Sequence, residues 1–134
     1  MSSEDKELEL IKNKIVSDIM SQSSNANGEV TVLKSDDLQA FINSHKNVIV
    51  DFYATWCPPC KIMDPITKDL AEINKGKVAF GKINTDQERQ AAIQYQIRYV
   101  PTFYLFKEGK VVGQFSGARK KKDFQELIDK TFKD

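Results

Sequence analysis

Cysteine is scarce in this sequence: two occur among 134 residues, three positions apart, at Cys57 and Cys60. A disulfide-stapled fold needs more cysteines spread along the chain, so this chain must rely on its own core. Histidine is scarcer still. A zinc site built on the C-x-x-C spacing needs two further ligands, and the chain offers only His45 and no third cysteine. Charge of one sign is also missing: twenty basic residues face nineteen acidic ones, a formal net charge of +1. Nothing there draws the protein toward nucleic acid or an anionic membrane. The run Arg119-Lys120-Lys121-Lys122 reads as a solvated helix start. No stretch approaches the ~20 apolar residues of a transmembrane helix. Glu4, Asp5, Glu7 and Glu9 stand where a signal peptide would be basic and then apolar, so cytoplasmic residence is the expectation.

What is present describes one globular domain. Apolar residues make up 40% and charged residues 29%, and a chain of 134 residues has the usual size of one domain. Folding at that length buries roughly two-thirds of the unfolded surface. Residues 4–20 place Leu8, Ile11, Ile15, Val16 and Ile19 on one helical stripe, and the polar tract 21–28 reads as a linker. Residues 1–28 are therefore an N-terminal amphipathic helix and linker, and 29–134 the domain. Within it, 30–33 reads as a strand, and Ser35 as the N-cap of a helix to Ser44 with Leu38, Phe41 and Ile42 inward. Residues 48–53 form a β-favouring run of the kind buried on both faces. A helix over 58–74 should kink at Pro65. A strand at 77–83, a helix at 86–95, strands at 102–106 and 111–115 joined by a tight turn, and a helix at 119–132 complete the pattern. In that last helix Phe124, Leu127 and Ile128 face in. Helix-separated strands followed by a hairpin imply an α/β fold with a mixed sheet.

The cysteines fall where a strand run has ended and a helix begins. Attack on a disulfide needs a thiolate, which free N–H groups and the helix dipole favour at that position. Cys57 is thus the candidate nucleophile. Cys60, one turn further in, should be more buried and resolve the mixed disulfide from behind. An inert core pair fits poorly with the flanking Trp56, Pro58 and Pro59. Asp51 shares a strand face with Ile49 and Tyr53, where desolvation would raise its pKa; from the residues alone, an Asp at a strand edge facing water is an equal reading. Lys82 alternates with Val78 and Phe80 on its strand, with a solvated lysine as the alternative reading.

The string Asp51-Phe52-Tyr53-Ala54-Thr55-Trp56-Cys57-Pro58-Pro59-Cys60-Lys61 resembles the active-site strand and helix of the thioredoxin family. The resemblance continues through Lys82-Ile83-Asn84-Thr85-Asp86, Ile97-Arg98-Tyr99-Val100-Pro101-Thr102, Phe106-Lys107-Glu108-Gly109 and Gly117, covering about residues 29–134. It implies the thioredoxin fold, here with an extra N-terminal helix. It also implies a protein-disulfide reductase of redox homeostasis, whose redox-active Cys57–Cys60 disulfide requires no bound cofactor or metal. Disulfide-containing client proteins and a thioredoxin reductase as electron donor are the implied partners. The resemblance makes Asp51 the buried acid that accepts the Cys60 proton, and Lys82 its partner. It makes Val100-Pro101 a cis bond facing the cysteines, where Pro101 offers no metal-capturing atom and the Val100 backbone can pair with an extended client segment. Trp56, beside Pro58 and Pro59, becomes a flat apolar platform, and Gly117 lets the client approach.

Two departures stand out, the extension over residues 1–28 and the pair between the cysteines. Ordinary thioredoxins carry Gly-Pro between the cysteines; Pro58-Pro59 preorganises the helix start but removes an N–H from the Cys57 sulfur. The Trp-Cys-Pro-Pro-Cys string also resembles extracytoplasmic reductases of the cytochrome c maturation type. Those carry an anchor and an inserted segment, whereas 40 residues separate Cys60 from Pro101 here, room for one strand and one helix. A disulfide isomerase or oxidant of the same fold, and a non-catalytic adaptor, are the alternatives.

Overall fold

The β-favouring run around Val50 forms the middle of a five-stranded sheet in the computed structural model, which describes residues 26–133. The stripe expected over 4–20 lies outside the described residues. The elements are β1 (Val30–Leu33), α1 (Ser35–Ser44), β2 (Asn47–Tyr53), α2 (Pro58–Ile73), β3 (Ala79–Asn84), α3 (Arg89–Gln94), β4 (Thr102–Lys107), β5 (Lys110–Ser116) and α4 (Lys121–Thr131). The strands lie in the order β1-β3-β2-β4-β5. β1 and β2 run parallel to β3, while β4 pairs antiparallel with β2 and β5 with β4. This is the expected mixed α/β sheet.

β2 lies at the centre because both of its faces are apolar. Val48, Val50 and Phe52 pack with Leu38, Ile42 and Ile83 on one side. Ile49 packs with Met63, Leu70, Phe80, Phe103, Phe124 and Ile128 on the other. Side chains alternate along a strand, so Asp51 emerges on the Ile49 face, the face covered by α2. The parallel register sets Asp51 opposite Lys82 of β3. That register is what brings a strand carboxylate and the cysteine-bearing helix together.

Three local expectations shift. Ser35 is not the cap of α1: Lys34 holds that position, with no side-chain cap. The Ser35 hydroxyl instead accepts from Ala91 N at 3.2 Å, and Ser35 N donates to Glu88 Oε1 at 2.7 Å. A carboxylate 53 positions along the chain thus does the capping. The helix expected over 86–95 is shortened to Arg89–Gln94. Asn84 Oδ1 accepts from Asp86 N and Gln87 N, an Asx turn that diverts the backbone before the helix can start. Ala26, expected in the linker, is buried, and its carbonyl accepts from Gly76 N. The β4–β5 turn is as expected. Glu108 and Gly109 both have positive φ, 52° and 82°, the two-residue hairpin geometry that matches strand twist.

Candidate active site

Cys57 is the N-cap of α2. Pro58 and Pro59 occupy the first two helical positions and carry no N–H, so the first amide to reach the Cys57 sulfur is Cys60 N, at 3.2 Å. This places a backbone donor and the positive end of a 16-residue helix at one sulfur only. Cys57 and Cys60 are joined as a disulfide, with Cα atoms 5.2 Å apart. The expected order of burial does not hold: Cys57 is 2% exposed and Cys60 6%. Ala54, Tyr53 and Val100 pack around the pair, and Val100 O lies 3.5 Å from Cys57 Sγ. The two sulfurs therefore differ by helix position rather than by exposure.

Cys60 opens onto a cleft of about 360 Å³ that it shares with Asp51, Asp64 and Lys82. Asp51 is 5% exposed, and its Oδ1 is buried with no hydrogen-bond partner among the described residues. Burial pushes its carboxyl from the ordinary 3.8 up to about 7; the Lys82 charge opposes that rise, and Asp64 adds to it. The water-facing alternative for Asp51 is thereby excluded. Lys82, expected as its partner, does adjoin it in register, yet the ammonium makes its ion pair elsewhere. Lys82 Nζ lies 3.2 Å from Asp64 Oδ1 and 5.3 Å from the centre of the Tyr53 ring. A lysine at the cleft mouth keeps more water by turning to the partly exposed Asp64 than by entering the Asp51 site.

Val100-Pro101 is cis, as expected, and Pro101 is buried. Gly117 N donates to Pro101 O at 2.8 Å with φ at +90°, a conformation that suits glycine, and a Cβ there would meet open space. Trp56 is 66% exposed, which rules out a core role, and its Nε1 donates to Asp86 Oδ2 at 2.8 Å. Tyr99 is exposed beside Val100. Asp64 has no part in the sequence reading, and Asp86 enters it only within the Lys82–Asp86 string, without a role of its own. For Asp64 the signal was its place four residues after Cys60, hence on the same helix face. The pairing of Asp86 with Trp56 has no local signal, because the two stand 30 residues apart. Among the described residues no cluster of three or more His, Cys, Asp or Glu could hold a metal ion, and no helix is long and apolar enough to cross a membrane.

Comparison with known proteins gives the same assignment for sequence and fold. The chain is 46% identical to thioredoxin Y2, chloroplastic, of Arabidopsis thaliana over 87 residues, covering 65% of this chain and 52% of that protein. It is 42% identical to a thioredoxin of Chlorobaculum thiosulfatiphilum over 88 residues, covering 66% of this chain and 82% of that one. The chain thus spans about half the length of the Arabidopsis relative. Thioredoxin F from spinach chloroplast superimposes with a TM-score of 0.73 at 32% identity, covering 83% of this chain and 93% of the spinach chain. The thioredoxin family model matches residues 29–130, which takes in every element described above except the last residue of α4, and the chain belongs to the thioredoxin family.

Proposed function

We propose that the protein reduces disulfides in client proteins by dithiol–disulfide exchange. The observation that carries this reading is the Cys57–Cys60 pair set across the first turn of α2, with one sulfur at the N-cap and the other facing a buried carboxyl. In the reduced protein the Cys57 thiolate attacks one client sulfur. The client S–S bond breaks, its electron pair leaves on the second client sulfur, and that sulfur takes a proton. Cys60 then gives its proton to the Asp51 carboxylate and attacks Cys57 Sγ. The remaining client thiolate departs and is protonated, leaving two client thiols and the Cys57–Cys60 disulfide.

Several features support client docking at this site. Trp56, next to Cys57, and Tyr99, next to Val100, expose their rings, and the Pro58-Pro59 corner is rigid. An extended client segment can lie along Val100-Pro101, with Gly117 leaving open space beside it. A second dithiol must return the electrons, and we assign that part to a thioredoxin reductase. We place the cycle in the cytoplasm, although relatives at up to 46% identity are named as chloroplastic; cell fractionation decides.

The test is equilibration in dithiothreitol buffers, followed by turnover on a disulfide-bonded protein. A reductase should show a potential near roughly −270 mV and catalyse reduction with dithiothreitol as the electron source. A potential of about −180 to −120 mV would assign the protein instead to isomerase or oxidant work.

A further inference from the structure

We propose that Asp64 is a positioning residue: it takes the Lys82 ammonium in a direct ion pair and so leaves the buried Asp51 carboxyl without a cation of its own in the cleft it shares with Cys60. The proposal rests on the reading of Asp51 as the base for Cys60. Lys82 stands opposite Asp51 on the neighbouring strand, the register at which a lysine would ordinarily reach across to the carboxylate. Its Nζ is instead 3.2 Å from Asp64 Oδ1, and Asp64 Oδ2 lies 3.4 Å from Lys68 Nζ one turn further along α2. Asp64 therefore bridges two lysines.

The bridge is well placed to divert the ammonium. The Lys82 side chain is 22% exposed and that of Asp64 41%, so their pair forms at the wet mouth of the cleft. Asp51 lies deeper, at 5% exposure, with Oδ1 unpartnered among the described residues. Moving the ammonium inward would strip both groups of water. Asp64 also adds a second negative charge facing Asp51. Burial is the largest cause that holds a proton on Asp51; the Lys82 charge pulls the other way, and the Asp64 charge adds to the rise. The groups facing Asp51 are Lys82 of β3, Asp64 and Cys60 of α2, and Tyr53 of its own strand, with Lys61 at the cleft edge. Partial burial alone would raise the Asp64 carboxyl, but hydrogen bonds and charge from Lys82 and Lys68 outweigh it and hold the carboxyl below the ordinary range. Asp64 thus remains charged when Asp51 titrates. A lysine bridge on α2 thereby sets the pH at which the cleft carboxyl can accept a proton.

The test uses the full chain and reads Asp51 directly, by carboxyl-carbon NMR across a pH titration of the disulfide form. Asp64→Asn should lower the Asp51 midpoint by roughly one pH unit, because it removes a like charge and frees Lys82 to pair inward. Asp64→Glu should restore most of the shift, since the longer carboxylate still reaches the ammonium. The pH profile of mixed-disulfide resolution should move with the midpoint in each variant. An Asp51 midpoint unchanged by Asp64→Asn overturns the proposal, whatever turnover does. A lowered midpoint combined with a resolution rate indifferent to pH supports the positioning role of Asp64 and overturns the assignment of Asp51 as the base.

Discussion

Asp51 links the chemistry of the site to the stability of the fold. Its folded-state carboxyl titrates at about 7 against an ordinary 3.8, so between those values the folded protein holds a proton that the unfolded chain has released. The stabilising contribution is complete below pH ~4 and is lost as pH rises toward 7. The full difference corresponds to about 4 kcal/mol at most, since one pH unit is ~1.4 kcal/mol. Asp51→Asn should therefore raise stability by roughly 2–4 kcal/mol at pH 8 and by almost nothing at pH 4, read by urea unfolding at both values. The same variant should slow resolution of the mixed disulfide about a hundredfold at neutral pH. Equal stability gains at both pH values would mean that the carboxyl titrates normally. Trp56→Ala should behave in the opposite way. With 66% of that residue exposed, unfolding should shift by less than ~0.5 kcal/mol, while the client KM rises several-fold at unchanged kcat. A rise in KM below twofold would remove Trp56 from the docking surface. At this scale the sequence pointed to the cysteines, the cis-proline and Asp51. Asp64 escaped notice because an acidic residue on a helix ordinarily reads as solvated, and only the register of β3 brings Lys82 within reach of it.

At the level of elements, the sheet was legible because its central strand is a continuous apolar run and the helices at 35–44 and 119–132 carry apolar stripes. What the sequence could not convey were interactions across long separations. Ser35 matches an N-cap locally, but Glu88, 53 positions away, supplies the acceptor for its amide. The 86–95 helix was set too early because an Asn side chain can close a turn that propensity alone does not register. Gly81 of β3 is a similar case. A Cβ there would lie 2.6 Å from Leu33 Cδ1 and 3.1 Å from Phe41 Cε2, so β1 and α1 close over the strand only because the position is bare. Gly81→Ala should destabilise the protein by about 1–3 kcal/mol through overpacking, with the melting temperature as readout. A loss well below that would show that Leu33 and Phe41 move aside freely.

For the whole molecule, the sheet works as a rigid base with different tasks on its two faces. The face packed against α1 is apolar core. The α2 face carries the other core and, where β2 ends, opens into the cleft of Asp51 and Cys60. Cys57 sits above that cleft at a helix start, against the Val100-Pro101 turn. At +1 the chain is near neutral, so in the proposed reduction client choice would rest on this apolar and backbone surface rather than on long-range charge. The central claim is that Cys57 attacks the client and Cys60 releases it. Its most direct measurement is mass spectrometry of Cys60→Ser and Cys57→Ser proteins, each reduced and then exposed to a disulfide-bonded client. Cys60→Ser should accumulate a stable one-to-one mixed disulfide through Cys57, while Cys57→Ser should accumulate almost none. Equal trapping by the two variants, or trapping by Cys57→Ser alone, would contradict that claim.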